Sequence, residues 1–249
     1  MISTIYRHEL ISMFRTPFAW LLLGLCAALV AYQFLAQIEF YMSIADKLAT
    51  MEQAPGVTQL IVVPTLGFCA TLVMFLVPIV SMLSIAGERR AGTVALIASA
   101  PVSMWSFVIG KFLSLSTLFV SLWVIVATMV LTLLWGTQLD LGLCLGGLVG
   151  LLGYTLAAVS IGLCVSALLS HPVAAGSVSL VTLLFLWFCD WVGGTNGEVN
   201  LFSHLAASRH FNRLASGLFD SFDVVYFVVL TVFSLALAHW RLRNERYFG

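Results

Sequence analysis

The segment Gly87–Lys111, with the sequence GERRAGTVALIASAPVSMWSFVIGK, is the densest polar interruption in an otherwise apolar chain. Glu88, Arg89, Arg90 and Lys111 bracket this segment, and side chains of these types form charge-assisted contacts with partner proteins. No nucleophile with an adjacent base accompanies them at a recognisable spacing. The segment is therefore predicted to be a charged connection between two apolar stretches that lies at the membrane surface.

Backbone signals within this segment predict a short, rigid helix. Gly92 allows the chain to turn, and Thr93 is a good N-cap because its hydroxyl can accept a hydrogen bond from a following amide. Val94–Ala100 has the length of about two helical turns, and Pro101 cannot continue that helix. Ser103 can cap the next helix. We therefore expect a stiff helical knuckle between two long apolar stretches.

Motifs for other chemistry are missing from the sequence. It contains no GxxxxGK[ST], HExxH or GxSxG pattern, so we expect no catalytic residue, no metal site and no cofactor bound by this chain. Glu39, Asp140 and Asp190 fall near the ends of apolar runs, which argues against an ion-coupled carrier with charged groups at mid-membrane. The cysteines form no CxxC pair, which favours packing in the core. They are Cys26, Cys69, Cys144, Cys164 and Cys189.

Composition places the chain in a membrane. Of its 249 residues 61% are hydrophobic and 9% are charged, whereas a soluble domain carries about 25% charged residues. A helical span needs about 20 apolar residues, and runs this continuous do not suit barrel strands. Residues 1–249 are therefore expected to form one all-α membrane domain with six spans. The predicted spans are Pro17–Gln37, Val57–Ala86, Met104–Trp135, Leu141–Leu169, Val173–Val192 and Val224–Trp240.

The distribution of Lys and Arg predicts the orientation. With the N-terminus in the cytoplasm, eight of the 11 basic residues lie inside, and only Lys47, Arg209 and Arg213 lie outside. Six spans return the C-terminus to the inside. Apart from these flanking charges there is no basic patch, so no nucleic-acid partner is expected.

Several flanking segments carry further expectations. Residues 1–15 have amphipathic spacing and predict an interfacial helix that turns into the first span at Thr16-Pro17, although a plain basic flank would also satisfy the pattern. Its His8 and Glu9 are expected to face solvent or head groups. Ile38–Gly56 is expected to be an outer loop, and Arg241–Gly249 a short tail. Pro64 and Pro78 predict helix kinks in the second span.

Small residues line one face of the fourth span. Gly142, Gly146 and Gly150 repeat at intervals of four, which permits close helix approach. The approaching helix could belong to the same subunit or to a second copy.

The longest outer segment contains an apolar face. Phe211, Leu214 and Leu218 lie at i, i+3 and i+7, with Arg209 and Arg213 between them. We expect one or two short helices within Asn200–Leu218, packed against the outer side of the spans, with both arginines reaching lipid head groups. Asp220 is expected to cap the last span and Asp223 to lie in its first turn.

Three blocks of the sequence resemble an ABC-2 type transporter permease, most closely the gliding-motility branch and more distantly the nitrous-oxide-reductase maturation permeases. They are RHELISMFRTPFAW at Arg7–Trp20, GERRAGTVALIASAPVSMWSFVIGKFL at Gly87–Leu113 and RHFNRLASGLFDSFDVVYF at Arg209–Phe227. The short helix carries Val94-Ala95-Leu96 where such permeases have an acidic residue.

This resemblance implies the membrane subunit of a bacterial inner-membrane ABC exporter. Its partners would be separate ABC ATPase subunits, which bind the ATP and magnesium, a second permease copy or a paralogue, and membrane lipids. The knuckle, with Glu88, Arg89, Arg90, Gly92, Thr93, Pro101 and Lys111, would be the coupling helix that contacts the ATPase. The outer helices, with Arg209, Phe211, Arg213, Leu214 and Leu218, would shape the exit. A secondary carrier or channel, or a non-transporting membrane assembly factor, is the alternative.

Cysteine labelling tests the predicted orientation. In a cysteine-free background, Asn196→Cys should react with a membrane-impermeant maleimide added outside intact cells, and Arg246→Cys should react only after permeabilisation, because eight of 11 basic residues flank the inner side. Labelling of Arg246→Cys from outside would refute the topology.

Overall fold

The computed structural model describes residues 2–48, 56–92, 103–136, 139–193 and 204–248, and these residues contain helices, turns and no strand. Six of the helices are long and apolar enough to cross a membrane, so the predicted all-α, six-span class is confirmed. The helices are α1 (Ile2–Arg15), α2 (Pro17–Leu48), α3 (Val63–Ser81), α4 (Ala86–Arg90), α5 (Met104–Thr132), α6 (Leu141–Leu168), α7 (Pro172–Gly193), α8 (Ala207–Ala215) and α9 (Ser221–Phe248).

Two helices are longer than predicted. Helix α2 continues to Leu48, through most of the expected outer loop Ile38–Gly56. Helix α9 likewise extends to Phe248, through the expected tail. Neither extension contains Gly or Pro, so nothing in the local sequence ends the helix. At about 1.5 Å per residue, the 32 residues of α2 form a helix that is longer than the hydrocarbon core is thick.

The two prolines of the second span lie at irregularities of that span. A π-helical turn, Thr58–Val62, leads into α3, and Pro64 occupies the first turn of α3. Pro78 lies inside α3, which ends three residues later at Ser81. A proline removes one backbone donor and crowds the preceding turn, so both predicted interruptions coincide with departures from regular α-helix.

Side-chain caps mark the starts of three spans, and the caps at Ser103 and Asp220 are the predicted ones. The Ser103 hydroxyl accepts a hydrogen bond from the amide of Ser106 at the start of α5. An Asp140 carboxylate oxygen accepts from the amides of Gly142 and Leu143 at the start of α6. Asp220 accepts from the amide of Phe222 at the start of α9, whose first turn contains Asp223 as expected.

Helix α6 is the centre of the bundle. In its most apolar stretch 78% of the residues are buried, against 50% or less in the other five spans. It packs against α3, α5, α7, α8 and α9. All five cysteines are free and buried, which confirms their predicted place in the core.

The glycines of α6 allow these neighbours to approach. A Cβ on Gly146 would overlap the carbonyl oxygen of Leu214 in α8, and one on Gly150 would lie 3.1 Å from the Leu214 side chain. A Cβ on Gly162 would overlap the Ser81 hydroxyl of α3. The small-residue face therefore packs within one subunit. In contrast, Gly142 meets only the Asp140 side chain.

Helix α1 packs along α5 with its amphipathic face inward. Ile5, Tyr6, Leu10 and Phe14 are half-buried, as expected for an interfacial helix, and the Tyr6 and Thr117 hydroxyls lie 3.1 Å apart. A bend at Thr16 separates α1 from α2 at the predicted place. Ion pairs described below join α1, α4, α5 and α9 at one end of the bundle, which we call the terminal face; the other end is the opposite face.

Replacing Gly146 by alanine should destabilise the protein by about 1–3 kcal/mol, because the new methyl group must displace the backbone of α8. Gly24→Ala in α2 is the matched control: nothing lies within 4 Å of its Cβ position, and alanine is the better helix former. Thermal unfolding in detergent measures both. Equal midpoints for the two variants would contradict the close α6–α8 packing.

Candidate functional site

Helix α4 is the first part of the predicted knuckle. Its N-terminus is hydrogen-bonded to a side chain of the central helix α6. The amides of Ile85 and Ala86 donate hydrogen bonds to the Ser166 hydroxyl at 3.2 and 3.0 Å. The Ser166 hydroxyl also lies 3.4 Å from the Met82 carbonyl. First-turn amides have no partner within their own helix, so Ser166 acts as an N-cap supplied by a distant part of the chain. It fixes the start of α4 to α6.

Arg89 ties α4 to the end of α6 and to α9. Its guanidinium donates to the carbonyls of Ala167 and Leu169, both at 2.9 Å, and to the Glu245 carboxylate at 2.7 Å. The last carbonyls of a helix have no intrahelical donor and carry partial negative charge. The side chain is only 14% exposed. Arg89 is therefore an internal clamp, and its guanidinium is largely unavailable to a partner.

Lys111 lies at the centre of a second ion-pair group. Its side chain is 1% exposed, and its ammonium donates to Glu9 of α1 and to Glu88 of α4, each at 2.8 Å. The Phe107 ring centroid is 5.2 Å from the ammonium. A buried ammonium is costly unless paired and hydrogen-bonded. Lys111 therefore holds the N-terminal helix and the knuckle on α5.

The structure divides the predicted coupling residues. Glu88, Arg89 and Lys111 are joined to neighbouring helices, whereas Arg90 and Gly92 are exposed. Gly92 has φ +75°, the left-handed conformation that its predicted turn requires. Thr93 and Pro101, with the predicted helix between them, lie outside the described residues. Among the coupling residues that are described, Arg90 is the charged side chain best placed to meet a partner.

Sequence reasoning missed three residues that build this face. Glu9 was expected to face solvent or head groups, but it points from the contact face of α1 to Lys111. Ser166 and Glu245 had no assigned role. A signal for Glu9 existed: it lies one position before Leu10 and four before Met13, on the half-buried face. Arg89 and Glu245 are 156 positions apart in the chain, so no short stretch of the sequence shows that they pair.

Helix α8 lies on the opposite face and confirms the predicted short helix packed against the spans. Phe211 and Leu214 are buried against α6 and its neighbours. The prediction that Leu218 belongs to the same apolar face was wrong. Helix α8 ends at Ala215, and Gly217 turns the chain with φ +80°. Leu218 is therefore 63% exposed. The part of Asn200–Leu218 before His204 lies outside the described residues.

A buried polar cluster fastens α8 to α9. The Nδ1 atom of His210 lies 2.5 Å from the Asp223 carboxylate, and its Nε2 lies 3.0 Å from the His204 carbonyl oxygen. Arg213 reaches Asp220 at 3.0 Å and Asp223 at 3.5 Å, so it pairs with these acids and does not reach out to head groups as predicted. Arg209 is half-buried. The cluster attaches the outer helix to the start of the last span.

These features define a multi-pass, all-α membrane protein whose ion pairs, among the described residues, gather at its two ends. The family model described as "ABC-2 family transporter protein" matches residues 3–246. The chain therefore belongs to the ABC-2 family of transporter proteins, as the sequence resemblance predicted. A comparison with curated proteins gave no match. The gliding-motility branch stays a prediction.

Replacing Lys111 by methionine should release α1 and α4, because two carboxylates would lose their shared ammonium. Removing one partner of a buried ion pair costs up to about 3–5 kcal/mol. We expect faster hydrogen exchange in α1 and a lower unfolding midpoint. Adding Glu9→Gln and Glu88→Gln to Lys111→Met should restore part of the loss. Arg7→Met, which removes an exposed cation from α1, should change stability by less than about 0.5 kcal/mol; a similar loss in Arg7→Met would contradict the Lys111 assignment.

Proposed function

We propose that this chain is the permease subunit of an ABC exporter in a bacterial inner membrane, with the terminal face in the cytoplasm. The ABC-2 family generally works with ABC ATPases, and here separate ATPase subunits would bind the ATP and magnesium. A second copy or a paralogue would complete the pathway. The observation that carries this proposal is the attachment of the knuckle, through Arg89 and Glu88, to four helices at one face.

The attachments provide a physical route for coupling. A push on the knuckle would reach the central helix α6 and the last helix α9 through Arg89, whose three hydrogen bonds are between 2.7 and 2.9 Å long. It would reach α5 and α1 through Lys111. Short charge-assisted hydrogen bonds are directional and strong, so these contacts favour movement of the helices with the knuckle over sliding past it.

The opposite face fits a role at the exit of the pathway. Helix α8 lies across α6 and α7 and is fastened to α9 by the His210–Asp223 pair. Aromatic packing of Tyr154, Trp187 and Phe211 supports it from below, with ring centroids 5.2 to 6.4 Å apart. A short helix held by several spans would change position when those spans move. Substitutions here should therefore alter transport without weakening ATPase binding.

Charge reversal at Arg90 tests the coupling assignment. Arg90→Glu should reduce ATPase co-purification and transport at least several-fold, because Arg90 is exposed beside the turn at Gly92 and reversal would place a repulsive charge at the contact. Arg7→Glu is the matched control: it reverses an exposed charge on α1 at the same face and should leave both unchanged.

A loss of ATPase contact in Arg90→Glu can be distinguished from misfolding of the variant. Arg90→Glu should insert and unfold like the wild type, since Arg90 is exposed, whereas reversal of Glu88 should also disturb the Lys111 group. Normal co-purification and normal transport in Arg90→Glu would remove the knuckle from the ATPase interface.

A further inference from the structure

The buried His210–Asp223 pair between α8 and α9 presents two acceptors to one imidazole ring. The Nδ1 atom of His210 lies 2.5 Å from an Asp223 oxygen, and its Nε2 atom lies 3.0 Å from the His204 carbonyl oxygen. A carbonyl oxygen and an ionised carboxylate only accept hydrogen bonds. A neutral imidazole has one N–H and would turn the lone pair of its other nitrogen toward an acceptor. An imidazolium donates at both positions.

The surroundings of the pair favour the charged ring. The His210 and Asp223 side chains are 2% and 0% exposed, so a hydrogen bond that is not made within the protein is costly there. The Tyr226 ring stacks on the imidazole, with the ring centroids 4.1 Å apart and an angle of 22° between the planes. The face of an aromatic ring attracts a cation, so this stacking stabilises the imidazolium.

The charges of the cluster balance only with the same assignment. Arg213 of α8 lies 3.0 Å from Asp220 and 3.5 Å from Asp223, so one guanidinium faces two carboxylates. An imidazolium at His210 adds the second positive charge, whereas a neutral ring would leave a carboxylate in excess beside a fully buried Asp223. The other titratable side chains that the described helices place around the ring are uncharged near neutral pH. They are Tyr226 of α9 and, next to it, Tyr154 of α6 and Cys189 of α7.

We propose that His210 is a proton-dependent latch, which as an imidazolium holds the start of α8 against α9. When the ring releases its proton to water, Nδ1–H stays with Asp223, and Nε2 turns a lone pair toward the His204 carbonyl. That contact then opens. The segment before α8 keeps the hydrogen bond that the Tyr226 hydroxyl donates to the Leu205 carbonyl at 2.6 Å. This latch is a property of the chain itself and does not depend on the ATPase or on the transported substrate.

The sign of the pH dependence follows from the protons bound in each state. In the unfolded chain a histidine is mostly uncharged above about pH 6.5, whereas the latch holds its proton in the folded state. The stabilisation by the latch is therefore present at low pH and is lost as the pH rises. Until His210 itself releases the proton, the unfolding constant should rise by up to about tenfold for each pH unit.

Nitrogen-15 NMR of the histidine-labelled protein in micelles tests the protonation state directly. The His210 signals are identified by their absence from the spectrum of His210→Gln. Near neutral pH, both ring nitrogens of His210 should carry a proton, whereas the exposed His204 should titrate like a free histidine. A His210 ring with a single protonated nitrogen near neutral pH would overturn the proposal.

Asp223→Asn separates the latch from the packing of α8. The asparagine amide can donate to Nδ1 of a neutral His210 while Nε2–H donates to the His204 carbonyl, so this variant needs no extra proton. Thermal unfolding from about pH 6 to about pH 9 spans the titration of an unfolded histidine. Over this range the wild-type midpoint should fall relative to that of Asp223→Asn. Hydrogen exchange in residues 204–215, corrected for its intrinsic pH dependence, should accelerate in the wild type alone.

Two further variants complete the comparison. His204→Gln is the matched control, because the His204 side chain is exposed and only its carbonyl meets the ring; it should follow the wild type. His210→Gln has no titratable group and should behave like Asp223→Asn, so the comparison survives if one of these two variants does not fold. Parallel pH profiles for the wild type and either variant would overturn the latch.

Discussion

A single buried ammonium determines how the terminal face is built. Lys111 lies about two turns inside α5, where its charge is tolerated only because Glu9 and Glu88 both accept from it at 2.8 Å. One carboxylate comes from the N-terminal helix and the other from the knuckle. Satisfying this one charge therefore fixes two peripheral elements on the third span. Arg89 joins the knuckle to the central and last helices in a similar way. Its guanidinium donates to carbonyls at the end of α6, which have no donor within that helix, and to Glu245 of α9.

In the interior of the bundle, the arrangement of the helices depends on glycines, which have no side chain and allow close approach. Within a bilayer, apolar burial gives little preference for one helix neighbour over another, so close packing and hydrogen bonds decide the arrangement. Gly146 and Gly150 admit α8, and Gly162 admits the end of α3. A helix with such a surface can lie at the centre and contact five others. The charged clamps then act at the two ends, outside this tightly packed interior.

These two constraints connect structure to the proposed coupling. The ends of the bundle carry directional, charge-assisted contacts, at Arg89 and Lys111 on one face and at His210 and Asp223 on the other. Close packing at the glycines of α6 leaves this helix in contact with elements of both faces. In the proposed coupling, a displacement at the knuckle would reach α8, because both elements are attached to α6.

The amino-acid sequence by itself determined the features that depend on local composition. These are the six spans, the break at Thr16, the caps at Ser103 and Asp220, the buried cysteines and the family. Only the tertiary structure decided which polar residues meet. Glu9 was assigned to solvent and Leu218 to a buried face, because spacing along one helix does not report what lies beside it or where a turn such as Gly217 ends it. Pairings between residues up to 156 positions apart arise from the packing of the helices, so no short stretch of sequence encodes them.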